Sequence, residues 1–204
     1  MKLVSKNLII IFTRNPELGK VKTRLAKTIG NESALNIYKF LLNHTEITIR
    51  GINCDKVVYY SIKVRNNDIW DKTVYQKHQQ RGNDLGERMH NAFREAFSKG
   101  YKKVVIVGSD LYDLEAKDIN YAFEQLSKCD VVIGPAVDGG YYLLGMKIMH
   151  SQIFQNKDWG TSTVFQSTIN NLQNKRVFLL DELNDIDTYD DMKDNSILKK
   201  LIKK

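Results

Sequence analysis

Four short segments of this chain concentrate residues able to hold phosphate or a divalent cation. The first, Thr13 to Leu25, carries Arg14, Lys20, Lys22 and Arg24 within eleven residues, directly after the apolar run Leu8 to Phe12. A helix is expected from about Val21, and cations at a helix N-terminus oppose its dipole. Unpaired N–H groups there favour anions, so the segment reads as a phosphate site, with a solvated basic turn as the alternative. It is neither a Walker A nor a dinucleotide loop, because Arg14 and Val21 stand where the former needs Gly and Ser or Thr. The second segment ends the run KVVIVGSD on Asp110. A carboxylate there is placed to hold Mg2+ or Mn2+ through oxygen ligands, or else Ser109 or Asp110 caps the following turn.

The third segment, GPAVDGGYYLLG, sets Asp138 ahead of Gly139 and Gly140. Asp-Gly is a tight-turn signal, and paired glycines also admit a ligand close to the backbone. In the fourth, Asp185 and Asp187 flank Ile186 and would point to one side of an extended segment. Two like charges repel unless a cation joins them or one is neutralised. Alternatively Asp187 or Thr188 caps a helix opening at Thr188, which leaves Asp185 free. Asp110 and Asp138 are therefore the candidate catalytic carboxylates. Asp110, Asp185 and Asp187 are the candidate ligands for Mg2+ or Mn2+, facing the basic segment with Arg14, Lys22 and Arg24. Cations plus a divalent-metal site suit a di- or triphosphate substrate.

Other chemistries find little support. His44, His78, His90 and His150 show no zinc spacing, and no nucleophile elbow is present. Trp159, Tyr141 and Tyr142 are able to stack on a base or sugar, although aromatics also serve the core.

The elements that must position these segments alternate between strand and helix. Leu8–Phe12, Lys56–Ser61, Thr73–Lys77, Lys103–Asp110, Asp130–Ala136 and Arg176–Leu180 read as strands, with Tyr141–Gly145 as an antiparallel or edge partner. Val21–Ile29, Ser33–Ile49, Leu85–Phe97, Glu115–Leu126, Thr161–Leu172 and a helix opening at Thr188–Met192 have helical patterning. Gly100 is the expected stop of the third helix. This order predicts an α/β domain with a mostly parallel sheet, spanning 1–204 as one unit. In such sheets ligands gather beyond the carboxyl ends of the strands, where all four segments fall.

Composition agrees with a folded chain of 204 residues: 42% are hydrophobic, with 12 Gly and only 2 Pro, so neither disorder nor a low-complexity fibre fits. The longest apolar run is far short of the roughly 20 residues that span a bilayer. The opening MKLVSKN breaks its apolar stretch with polar residues, which favours a buried strand over a signal peptide. The formal charge of +7 is concentrated at one end. Without Lys199, Lys200, Lys203 and Lys204 the balance is 27 cations against 24 acids, or +3. That does not make the concentrated basic face that nucleic-acid binding requires. Cys54 and Cys129 lie far apart without a CxxC, as expected of free thiols in a reducing cytoplasm.

The segments NPELGKVKTRLA, QQRGNDLGERM, GSD, GPAVDGGYYLLG and LNDIDTYDD occur in this order along nearly the whole chain. In this the chain resembles the glycosyltransferase-A-like proteins known as rSAM/selenodomain-associated transferases. More distantly it is similar to the 2-phospholactate guanylyltransferases, through KTRL and the Asp-x-Asp-Thr segment. The resemblance implies a nucleotide-diphospho-sugar transferase fold, a Rossmann-like three-layer α/β/α sandwich. It assigns Lys22 and Arg24 to nucleotide phosphates and Asp110, Asp185 and Asp187 to a metal. Asp84, Gly86 and Arg88 also match, with Arg88 set to reach a phosphate, an acidic acceptor or only the helix surface. Family members commonly carry Pro two residues after the Asp of GSD, where this chain has Leu111-Tyr112. The expectation is a metal-dependent transferase with a nucleotide or nucleotide-sugar donor and a small-molecule acceptor. Glycosyl transfer is favoured; nucleotidyl transfer, or an inactive nucleotide-binding module, is the alternative.

Overall fold

A computed structural model describes residues 6–203. The first five residues, which bear on the leader reading, and Lys204 of the basic tail lie outside them. Seven strands form one sheet: β1 (Asn7–Thr13), β2 (Asp55–Tyr60), β3 (Gln76–Gln79), β4 (Lys103–Gly108), β5 (Val131–Pro135), β6 (Tyr141–Met146) and β7 (Val177–Leu179). Their spatial order is β3-β2-β1-β4-β6-β5-β7. All pairings are parallel except those of β6, which runs antiparallel to both β4 and β5. Six α-helices connect and cover them: α1 (Thr23–Ile29), α2 (Asn31–Arg50), α3 (Leu85–Ser98), α4 (Ala116–Gln125), α5 (Val164–Asn170) and α6 (Ser196–Lys199).

The apolar strands are continuous because both faces of the sheet are covered. Ile9 and Ile11 of β1 pack with Tyr38, Leu42 and Ile49 of α2 and with Ile119 and Phe123 of α4. Leu8 and Ile10 face the other way, toward Met89, Ala92, Phe93 and Ala96 of α3. Each fully buried aliphatic side chain contributes about 2 kcal/mol over its exposed state, so this central strand anchors three layers. α1 lies outside α2, joined to it through Leu25, Ala34, Ile37 and Leu41. The expected three-layer α/β/α architecture is the observed one.

Two local expectations are corrected and one alternative is decided. Pairing with β2 begins at Gln76, not Thr73. The Asp71 carboxylate accepts the Thr73 amide and hydroxyl, and the Val74 and Tyr75 amides bond the Asp71 carbonyl, which curls 71–75 into a turn. Tyr75 then packs edge-on against Trp70 rather than entering the sheet. For Tyr141–Met146 the antiparallel alternative is the observed one, and the strand lies inside the sheet between β4 and β5. No helix opens at Thr188 among the described residues. Asp191 accepts the amides of Asp187 and Thr188 and the Thr188 hydroxyl, so the cap runs opposite to the expected direction and holds a turn. The last helix instead starts at Ser196 under Asn195, whose side chain accepts two amides. Gly100 does terminate α3, in the left-handed conformation.

Candidate active site

The carboxyl ends of β1, β2 and β4 are tied together before any side chain turns outward. Ser109 donates to Thr13 Oγ1 across 3.1 Å, and the Tyr38 hydroxyl of α2 donates to the Arg14 carbonyl and accepts the Arg14 amide. Asn15, only 2% exposed, bonds Ile62 and Lys63 through its amide and so pins the loop after β2 to the loop after β1. Gln80 Nε2 bridges the carbonyls of Tyr59 and Thr13. This frame leaves the Arg14 backbone fixed and its side chain exposed.

Lys22 sits at the start of α1 with φ 46°. That left-handed conformation costs a non-glycine residue on the order of 1 kcal/mol, and such strain gathers at functional sites. Its ammonium is buried and lies 2.7 Å from Asp110 and 2.9 Å from Asp187. Burial works against the charge, but the two carboxylates outweigh it and hold the lysine above its usual range. The sequence paired Lys22 with phosphate; the structure sets it on two carboxylates. Arg24 is largely exposed and only grazes Asp187 at 3.5 Å.

Asp185 lies beside this cluster with no ion-pair partner among the described residues. Burial and then the negative charges of Asp187, Asp138 and Asp110 raise its carboxyl to about 6, against the pull of Lys22. Asp138 is exposed at the β5–β6 turn, where one oxygen accepts the Gly140 amide at 2.8 Å. The turn reading of this residue is thus the observed one. Gly139 makes the turn possible: its φ is +85°, and a Cβ there would stand 2.3 Å from the Ser162 carbonyl oxygen.

The oxygen donors of Asp110, Asp185 and Asp187 are the kind that Mg2+ and Mn2+ take. The surplus negative charge that raises Asp185 is what a hard cation would relieve. Among the described residues, however, no three acidic, imidazole or thiol groups already converge as a cage. The ammonium of Lys22 fills the space between two of the three carboxylates.

Two clefts open on either side of Asp110. The first, of about 540 Å3, is lined by Arg14, Lys20, Gln80, Arg88, Ser109 and Asp110, among others. Arg88 is held there by its Nε bond to the Gly82 carbonyl. The second, of about 180 Å3, is lined by Asp110, Asp138, Asp185, Tyr141, Trp159 and Thr161, among others. Leu85 belongs to both. The first cleft carries three cations against one carboxylate. The second carries three carboxylates and, among the described residues, no Lys, Arg or His. Trp159 is seated on Gly86 of α3, where any Cβ would stand 2.4 Å from the indole. The match of Gly86 in the sequence thus has a packing cause.

The Leu111-Tyr112 departure is compensated by packing. Leu111 is buried, and the Tyr112 ring stacks with Phe40 and His44 of α2 at 6.2 and 5.2 Å. That anchors the segment after Asp110 without a proline. Sequence reasoning gave no site role to Tyr38, Gln80 or Ser61, whose hydroxyl accepts the Asn15 amide at 3.3 Å in the wall of the first cleft. Only the topology brings these ordinary polar residues to one sheet edge.

Comparison with known proteins agrees with this architecture. A family model described as an uncharacterized protein conserved in bacteria (DUF2064) matches residues 48–161, which include Arg88, Asp110 and Asp138. No curated protein matches the chain. Among solved structures, a protein of Desulfovibrio desulfuricans G20, proposed to be a nucleotide-diphospho-sugar transferase, is 31% identical. It superposes with a TM-score of 0.84 over 97% of this chain and 94% of its own. A cytidylyltransferase of Leptospira borgpetersenii serovar Hardjo-bovis is 16% identical, with a TM-score of 0.55 over 92% of this chain and 83% of its own. The 4-diphosphocytidyl-2C-methyl-D-erythritol synthase of Anaerococcus prevotii is 11% identical, with a TM-score of 0.59 over 95% and 96%. These last two share the fold.

Proposed function

The chain belongs to the DUF2064 family, and we propose that it is a transferase moving a glycosyl group from a nucleotide-diphospho-sugar to a neutral or cationic acceptor. The observation that carries this reading is the opposite charge of two clefts that meet at Asp110. The donor's nucleotide lies in the basic cleft, with Arg14, Lys20 and Arg88 supplying positive charge to its diphosphate. Gln80 and the loop ends pinned by Asn15 form the wall around the nucleoside. Lys22 acts on the carboxylates: it keeps Asp110 and Asp187 fixed and offsets their repulsion.

Asp110, Asp185 and Asp187 would hold Mg2+ or Mn2+, whose charge would favour departure of the nucleoside diphosphate. The acceptor enters the acidic cleft against Trp159. The bond from the sugar's anomeric carbon to the diphosphate oxygen breaks, and its electron pair leaves with the nucleoside diphosphate. An acceptor oxygen or nitrogen bonds that carbon and gives its proton to the free oxygen of Asp138.

Charge also argues against the nucleotidyl alternative. Transfer of a nucleotidyl group to a phosphorylated acceptor would bring a dianion beside Asp138. In that cleft the metal on Asp110 and Asp185, and no lining side chain among the described residues, would offset it. The test is to incubate the protein with a panel of nucleoside-diphosphate sugars, Mg2+ or Mn2+, and neutral or amine acceptors, and to follow nucleoside diphosphate release. Acceptor-stimulated release supports the reading. Pyrophosphate release from a nucleoside triphosphate, stimulated by a phosphorylated acceptor, contradicts it.

A further inference from the structure

A third cavity, of about 260 Å3, lies on the other side of the Arg14 loop from the donor cleft. Its walls come from the loop after β1, from α2, from the end of β2 and from the segment 65–70. Leu42, Tyr60, Ile69 and the buried Trp70 give it an apolar and aromatic lining. Its charged lining is Arg14, Lys39, Arg65 and Asp68. Asp68 is already spent. One oxygen accepts the Tyr60 hydroxyl at 2.6 Å, and the other accepts Lys77 Nζ at 2.7 Å and the Trp70 amide at 3.1 Å.

Arg14, Lys39 and Arg65, by contrast, have no carboxylate within ion-pair distance among the described residues. Three uncompensated cations thus surround an apolar hollow whose acid is neutralised from outside by Lys77. We infer that this cavity is a second anion site, taking a phosphomonoester carried on a small apolar or aromatic body. The dianionic group meets Arg14, Lys39 and Arg65, and the body lies against Trp70, Tyr60 and Leu42. A carboxylate monoanion would leave more of the cations unmatched. Arg14 also lines the proposed donor cleft, whereas Lys39 and Arg65 line this cavity and not that one, so the Lys39/Arg65 pair tests this site separately from the donor reading.

Trp70 reports on this cavity once the other of the chain's two tryptophans is removed. Phenyl phosphate titrated into a Trp159→Phe variant is expected to change Trp70 emission saturably, with inorganic phosphate at least fivefold weaker because it lacks the ring. Adding Lys39→Ala and Arg65→Ala should weaken phenyl phosphate at least tenfold without moving the melting temperature. Lys39 is exposed and Arg65 half-buried, and the Arg65 carbonyl that accepts Lys77 remains. Adding Arg88→Ala instead should leave the affinity unchanged. The inference is overturned if emission does not saturate, or if Arg88→Ala rather than the Lys39/Arg65 pair abolishes binding. The second result would put the probe in the donor cleft. Equal affinity for inorganic phosphate would remove the apolar wall from the account and overturn the ligand class.

Discussion

The clefts on the two sides of Asp110 share a sheet edge but differ in how their strands end. Beyond β1, β2 and β4, all parallel, the chain leaves the sheet through loops tied by Asn15, Tyr38 and Gln80, and the exposed side chains there are largely cationic. Beyond β5 the chain must reverse into β6, so the edge is closed by a tight turn. That turn requires Gly139 and presents Asp138. A single antiparallel strand in an otherwise parallel sheet therefore puts an acidic cleft beside a basic one. The proposed division of labour between donor and acceptor rests on that topology.

The comparison is broken most completely by removing the residue that both sides share. Asp110→Asn should lower turnover of a nucleotide sugar by at least 1000-fold. The melting temperature should change by only a few degrees, because Asp187 still pairs with Lys22. Turnover within tenfold of wild type would remove Asp110 from the chemistry.

A pair of glycine variants tests the turn itself. Gly139→Ala meets both a positive φ and the Ser162 backbone, and should cost about 3 kcal/mol in urea unfolding. Gly160→Ala has a similar φ of +84° but nothing within 4 Å, so it should cost about 1 kcal/mol. Equal losses would mean that the close approach to Ser162 carries no energy.

The division between the clefts is sharpened by a crossed pair. Arg88→Ala should raise the donor KM about tenfold and leave the acceptor KM within twofold. Trp159→Ala should do the reverse. Steady-state kinetics with both substrates varied decides this, and parallel effects from the two variants would dissolve the distinction.

The smallest effect comes from Asp185. Its carboxyl titrates near 6 in the folded chain and near 3.8 when unfolded, so the folded state binds the proton more tightly. Stability from this group therefore falls as pH rises from about 4 to 6. Asp185→Asn, which never acquires the charge, should be more stable at pH 7.5. The expected gain is on the order of 1 kcal/mol after solvent screening, fading below pH 5. Melting curves at the two pH values check the sign, and a stability loss at pH 7.5 would contradict it.

Much of this was readable in the sequence because the signals were continuous. β1 and β4 are unbroken apolar runs, which only a doubly covered strand buries well, and the acidic and basic segments all follow such runs. What escaped was decided by side chains reaching over distance or against the local pattern. Lys22 and Asp187 are 165 positions apart, and nothing local reveals that their charges meet. Thr73 to Tyr75 have strand-forming residue types, yet the Asp71 carboxylate captures them as a turn. Asp187-Thr188 resembles a helix start, but Asp191 reverses the cap. The Arg14, Lys39 and Arg65 grouping was equally hidden, since α2 and two loops contribute one cation each.

The most direct test of the central claim is calorimetric titration of UDP, GDP, CDP and ADP, each with Mg2+, into the wild-type protein, an Arg14→Ala/Arg88→Ala variant and a Trp159→Ala variant. The account predicts saturable binding of at least one diphosphate, weakened 30-fold or more in the double arginine variant and unchanged without Trp159. Binding that survives loss of both arginines but fails without Trp159 would contradict it and place the nucleotide in the acidic cleft.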